Sequence, residues 1–346
     1  MGSHSTGDDR SDEETAGEGR MRSVVVSLDT ELAWGFHDYD RPPWHRVDAG
    51  REAWRWLLDR FAAHDIPCTW AVVGHLFLDG CDGVHADHPS VDGWFDYDPG
   101  ADEHTAPAWY APSLVQAIAD SDVDHEIASH TFSHVEFGDP ATDRRLARAE
   151  LRRSRELAEE WGLELDSLVF PRNRVGHRDV LADAGFSAYR GVGPDQWYHG
   201  TTVRPVGKGL SYAVGRSAPP VVTPTVDEQG LVDVPASLNL FAFQGPARRL
   251  VCAVTDDPVV RKVRLGLREL AGREDGVLHL WLHPNNVRTE ADFERMERVL
   301  ELVARYRRDY GLRVEPMRSV AARVREHTPP GAESGQHDTS GRAVGR

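Results

Sequence analysis

Lysine is almost missing from this 346-residue chain: only Lys208 and Lys262 occur, so arginine supplies nearly all of the positive charge. With 40 Lys and Arg against 56 Asp and Glu, the formal charge is −16. That balance excludes nucleic acid and anionic membrane surfaces as main partners, because both repel an acidic protein. An acidic, lysine-poor surface also suits a high-salt cytoplasm, where screening weakens self-repulsion. A GC-rich genome would trade Lys for Arg equally well. Cysteine is scarce too. Cys68, Cys81 and Cys252 are widely spaced, odd in number and outside any CxxC pattern, which excludes a disulfide framework and predicts reduced thiols with no assigned chemistry. No apolar run approaches the roughly 20 residues that cross a bilayer, so the chain is expected not to be membrane-spanning. The opening stretch MGSHSTGDDRSDEETAGEGR holds neither an apolar h-region nor a basic n-region, so a cytoplasmic location is expected.

What is present suffices for a large core, at 40% hydrophobic residues. Residues 1–22 and 325–346 are rich in Gly, Ser, Asp and Glu and are expected to be disordered tails around one domain, 23–324. SVVVSLD (23–29) is a β-branched apolar run ending in polar residues. GREAWRWLLDRFAAHD (50–65) has helical spacing at Trp54, Leu57, Leu58 and Phe61, and IPCTWAVVG (66–74) is strand-like again. Strand, helix, strand in this order predicts parallel pairing. The alternation recurs through HEIASH, a long helix beginning near Ala141, LDSLVFP, and finally DGVLHLWLHP before the helix EADFERMERVLELVARYRRDYG. Residues 79–111 and 198–250 are Gly- and Pro-punctuated excursions, expected to shape a substrate entrance.

HEIASHTFSH sets His130 and His134 four residues apart. With 17 histidines in the chain such a spacing arises by chance, and His279 with His283 repeats it. Convergence is the stronger signal. Four expected strand ends finish in polar groups: Asp29 and Glu31, His130 and His134, Arg172 and Asn173, and His283. Parallel α/β folds gather their chemistry at the carboxyl ends of strands.

With VVVSLDTE, IPCTWAVVG, HEIASHTFSH and LHLWLHP in that order, the chain resembles the polysaccharide deacetylases of the NodB homology type, carbohydrate esterase family 4, over residues 23–324. The resemblance implies an α/β fold, a distorted (β/α) barrel with irregular loop insertions. It also implies a divalent metal, Zn2+ first with Co2+, Ni2+ or Mn2+ as alternatives, and hydrolysis of an N-acetyl group from an amino sugar. Carried over residue by residue, it makes Glu31, His130 and His134 the metal ligands, Asp29 the general base and His283 the general acid. Arg172, or Arg174 beside it, would hold Asp29 ionised, and Asp195 would orient His283. Trp197, Trp281 and Asn173 would line the substrate pocket. His279 is expected to be a hydrogen-bonded core residue. Two motifs depart from the family pattern: Asp29-Thr30-Glu31 stands where adjacent aspartates are common, and Pro171-Arg172-Asn173 reverses the usual Arg-Pro order.

The expected substrate is an N-acetylated sugar, nucleotide-linked, lipid-linked or an oligosaccharide, serving as a cytoplasmic precursor in surface-glycan assembly. Two alternatives stay open. One is a deformylase or other linear C–N amide hydrolase of the same fold; the other is a catalytically silent domain that binds metal or carbohydrate.

Overall fold

A computed structural model of the chain describes residues 22–194, 217–252 and 255–327. Among these described residues, ten strands form one sheet: β1 (Arg22–Thr30), β2 (Thr69–Val72), β3 (Glu126–Ser129), β4 (Ser167–Val169), β5 (Ala188–Arg190), β6 (Thr225–Val226), β7 (Val232–Asp233), β8 (Leu238–Asn239), β9 (Gly276–Leu282) and β10 (Arg313–Val314). The order is β6-β7-β5-β4-β3-β2-β1-β9-β8, with β10 beside the first half of β1. Among the described strands every pairing is parallel except β6 with β7. Among the described residues no pair joins β6 to β8, so the sheet curls as a distorted, incompletely closed (β/α) barrel.

Helices α1 (Trp44–Ala63), α2 (Pro112–Ala119), α3 (Arg144–Glu160), α4 (Arg178–Asp183), α5 (Gly245–Cys252), α6 (Pro258–Ala271), α7 (Glu290–Tyr310) and α8 (Met317–His327) follow in chain order. α1 buries Val47, Ala53, Trp54, Leu57 and Phe61, one stripe at helical spacing. It starts six residues before the expected Gly50, since the polar first turn behind Pro43 shows no apolar period. α3 starts at Asp143, whose carboxylate accepts from the Leu146 amide at 2.8 Å. α7 has a capping box between Thr289 and Asp292 and ends on Gly311 at φ 64°. The folded chain extends slightly beyond the expected domain bounds: β1 begins at Arg22 and α8 runs through His327.

Side-chain parity positions the chemistry. On β1, Val24, Val26 and Leu28 join the large core, while Val25 joins a second cluster with Ala71, Ala128, Val169, Ala188 and Val277. α8 closes this second cluster with Met317, Val320, Ala321 and Val324. Burying each such Val or Met stabilises by roughly 1.5–3 kcal/mol. Successive strand side chains alternate faces, so the same inward face, counted in twos from these floor residues, carries Ser27, Asp29, His130, Arg190, His279, Trp281 and His283. Along this inward face, Val25, Ala128, Ala188 and Val277 form an apolar floor, and the polar groups lie further along the same strands.

Candidate functional site

Glu31 lies one residue past β1, and His130 and His134 flank the turn that leaves β3. All three are buried, and their ligand atoms lie within 4.8 Å of one another. Glu31 Oε2 is 3.1 Å from His134 Nε2 and 3.6 Å from His130 Nε2. His130 Nδ1 donates to the Val169 carbonyl at 2.7 Å. A carbonyl can only accept, so the proton is on Nδ1 and the Nε2 lone pair faces the cluster. Neither Nε2 has a well-formed hydrogen bond, although both are buried. Two buried, unpartnered imidazole nitrogens facing a carboxylate are what a divalent cation needs and what an apo hydrogen-bond network would avoid. The trio therefore fits the implied metal. Burial holds His134 below the usual histidine range, the neutral form a metal requires. Burial would raise the Glu31 carboxyl, but His283 and the two histidines outweigh it and hold it well below the usual range.

The backbone strains to make this cluster. Leu32, Thr131 and His134 have φ of 44°, 61° and 64°, the left-handed region that costs a non-glycine residue roughly 1–3 kcal/mol. Partners hold the turns in place: Gly74 N donates to Thr131 O and His75 N to Phe132 O, both at 2.8 Å. The Ser133 hydroxyl and amide both donate to the buried Glu150 carboxylate.

Asp29 is two residues before Glu31 and buried. Arg190 donates to its two oxygens at 2.6 and 2.7 Å, a bidentate pair. Burial raises the Asp29 carboxyl, and the Arg190 charge, with help from His283, more than reverses that and lowers it. Arg190 also donates to Ser27 Oγ at 3.1 Å and Asn173 Oδ1 at 3.0 Å, and lies 4.5 Å from the Trp281 ring centroid. Ser27 passes the polarity on. Its Oγ lies 2.8 Å from His279 Nε2, and His279 Nδ1 donates to the Val234 carbonyl at 3.1 Å. Burial drops His279 to about 3, so it is a neutral core residue, as expected.

His283 faces this arrangement from the end of β9. Its Nε2 is 3.7 Å from both Asp29 Oδ2 and Glu31 Oε1, and its side chain is 24% exposed while the others are nearly closed off. Solvent therefore reaches the cluster on the His283 side. Asn285 Nδ2 donates to Glu31 Oε1 at 3.3 Å, and Arg46 holds Asn285 in turn at 3.0 Å.

No protein-family model matches the chain, and no curated protein does. Solved structures do. One described as a polysaccharide deacetylase from Mycobacterium smegmatis is 17% identical, with a TM-score of 0.57 over 90% of this chain and 92% of its own. A probable polysaccharide deacetylase from Pseudomonas aeruginosa PAO1 is 12% identical, with a TM-score of 0.56 over 90% and 94%. The Puue allantoinase is 14% identical, with a TM-score of 0.56 over 90% and 93%. The chain has the polysaccharide deacetylase fold. At these identities the likeness fixes architecture, and the chemistry has to come from the residues themselves.

Within the deacetylase fold, Asp29, Glu31, His130, His134 and His283 come together as the motifs implied. Arg172 does not join them. It pairs with Asp38 at 2.5 Å and Glu136 at 2.7 Å on the rim, because its φ of 51° in the turn after β4 turns it outward. Arg174 likewise pairs with Glu136 and Asp139. Arg190 on β5 takes the position expected of Arg172. Asn173, expected to meet substrate, accepts a hydrogen bond from Arg190 instead. Trp281 stacks on the same arginine and stays partly exposed, as a pocket wall would. Asp195 and Trp197 lie outside the described residues. Sequence reasoning missed Arg190 and Asn285. Arg190 had a signal: the stretch FSAYRG shows the same apolar-then-polar ending as the other four strands. Asn285 had none.

Proposed function

We propose that the protein is a metal-dependent amide hydrolase that removes the N-acetyl group of an amino sugar. The observation that supports this reading is the placement of Asp29 and His283 beside the Glu31, His130 and His134 cluster, with His283 Nε2 3.7 Å from both Asp29 Oδ2 and Glu31 Oε1. Those three residues would hold the divalent ion. When bound, it acidifies a water molecule and polarises the acyl carbonyl. Asp29, its carboxylate held ionised and oriented by Arg190, would accept the proton of the attacking water. His283, on the solvent side, hands a proton to the departing nitrogen, without which an amide does not release its amine. Products are acetate and a free amino sugar. Zn2+ suits an acid and two imidazoles, and Co2+, Ni2+ or Mn2+ can use the same donors.

For the substrate, a nucleotide-linked, lipid-linked or oligosaccharide N-acetylated sugar in surface-glycan assembly follows if the chain works in the cytoplasm. Among the described residues no helix is long and apolar enough to cross a membrane. A second reading, hydrolysis of an amide that is not on a sugar, is favoured by the likeness to a structure named an allantoinase. The deciding measurement is acetate release from a panel of N-acetylhexosamine derivatives, with ureides and N-formyl sugars in parallel, before and after chelation. Acetate lost on chelation and restored by zinc supports the proposal. Turnover of ureides alone supports the second reading, and no turnover with bound metal leaves a silent binding domain.

A further inference from the structure

Residues 78–111 connect the turn after β2 to α2 with neither helix nor strand of their own. A segment of that length without regular structure is uncommon in a compact domain and needs something to hold it. At its base four donor side chains meet: His75, Cys81, His85 and Asp98, all within 4.8 Å by ligand atom. Cys81 Sγ is 3.6 Å from His75 Nε2, 3.5 Å from His85 Nε2 and 3.3 Å from Asp98 Oδ2. Asp98 Oδ2 is 2.9 Å from His75 Nε2 and 2.7 Å from His85 Nε2. A tetrahedral ion with bonds of about 2.0–2.3 Å has ligand edges of roughly 3.3–3.6 Å. The three sulfur edges match, and the two shorter ones need to open by about half an ångström.

Surrounding hydrogen bonds hold three of the four donors in place. Asp98 spends its other oxygen, Oδ1, on the Tyr110 hydroxyl at 2.7 Å and the Gly100 amide at 3.1 Å. His75 Nδ1 lies 3.3 Å from the Trp109 carbonyl, which fixes its proton there and leaves Nε2 as the lone pair. The Gly83 amide points at Cys81 Sγ at 3.3 Å and fixes where the sulfur lies. Gly83, at φ 73°, has Gly100 against it so closely that a Cβ would come within 2.9 Å of the Gly100 amide nitrogen. The side chains of His75 and Asp98 are fully buried and that of His85 is 11% exposed.

We propose that these four residues form a second metal site, closed and structural, that takes a zinc-class divalent cation and clips the 78–111 segment to the barrel. An ionised thiol and a carboxylate together carry two negative charges, which a divalent ion neutralises. Sulfur with two imidazoles selects zinc over magnesium or calcium. Four protein ligands leave no position for water, so the site does no hydrolysis. Its effect on the neighbouring cluster is mechanical. The His75 ring lies 4.4 Å from Trp34 and 5.7 Å from Phe132, while Trp94 of the 78–111 segment donates to Ser133 and meets His37 edge-on at 4.4 Å.

Cobalt separates the two sites, because only this one contains sulfur. Cobalt-loaded full-length protein should show a thiolate-to-cobalt charge-transfer band, retained in His130→Ala and lost in Cys81→Ser. Elemental analysis should find about two divalent ions per chain, about one in His85→Ala and about one in His130→Ala. Cobalt-loaded wild type without a thiolate band overturns the proposal whether or not any variant folds. A band that survives in Cys81→Ser also overturns it.

Discussion

Arg190 makes Asp29 what it is. Both carboxylate oxygens are engaged, at 2.6 and 2.7 Å, and the Trp281 face and Ser27 hold the guanidinium in place. Arg190→Lys keeps the charge and loses the fork, so turnover should fall by roughly two orders of magnitude with the metal retained. Arg172→Ala, by contrast, removes only rim pairs to Asp38 and Glu136, and kcat/KM should stay within about threefold. Steady-state kinetics and metal analysis on the two variants check this, and equal losses would return the role to Arg172. His283→Ala should lose acetamide hydrolysis by roughly two to four orders of magnitude and activated acetyl-ester hydrolysis far less, since a phenolate leaves without a proton. Equal losses on both substrates would make His283 a positioning residue.

At the scale of elements, the short 3-10 helix Leu32–Phe36 follows directly on Glu31, and a Cβ on Gly35 would come within 2.2 Å of the Glu31 carboxyl carbon. The clashing atoms are the free end of a side chain, so the fold can give way there without unfolding. Gly35→Ala should therefore keep its melting temperature within a few degrees while metal affinity drops by roughly 10–100-fold. Competition with a chromophoric chelator measures it, and unchanged affinity would show that Glu31 is not a ligand. Elements with a strong apolar run were legible from sequence. β2, β3, β4 and β9 fall within their expected stretches, β1 covers its own and one residue more at each end, and the paired histidines lie at the exit of β3. β5 was not, because Ala188–Arg190 is too short for alternation to register and continues into Gly-Val-Gly-Pro. The outward turn of Arg172 was equally hidden: a left-handed φ on an arginine has no sequence signature. Cys81 looked inert because its partners, His75, His85 and Asp98, follow no compact spacing and meet only when the segment folds back.

The whole molecule carries a load of neutral, buried histidines. Burial lowers His37 and His125 to about 4 and His279 to about 3, against about 6.5 in an unfolded chain. Their folded values are depressed, so their stability is fully present above about pH 6.5 and is lost as pH falls toward 4. Each contributes a slope of up to about 1.4 kcal/mol per pH unit across that window. Protonation also reduces the −16 charge, which acts in the opposite sense, but salt screens that repulsion and leaves buried titrations untouched. Denaturant midpoints at high KCl should therefore fall between about pH 6.5 and 4.5; a flat profile would mean that these side chains are solvated. The alternation that aims Asp29, His130, Arg190 and His283 inward also gives the barrel something like a reading frame. Deleting one residue within β1 or β9 would exchange the inward and outward sets for everything beyond it, turning the acid or the base toward the helices. Such a fold can acquire new substrates by lengthening its loops, but its strands tolerate changes of length only in steps of two.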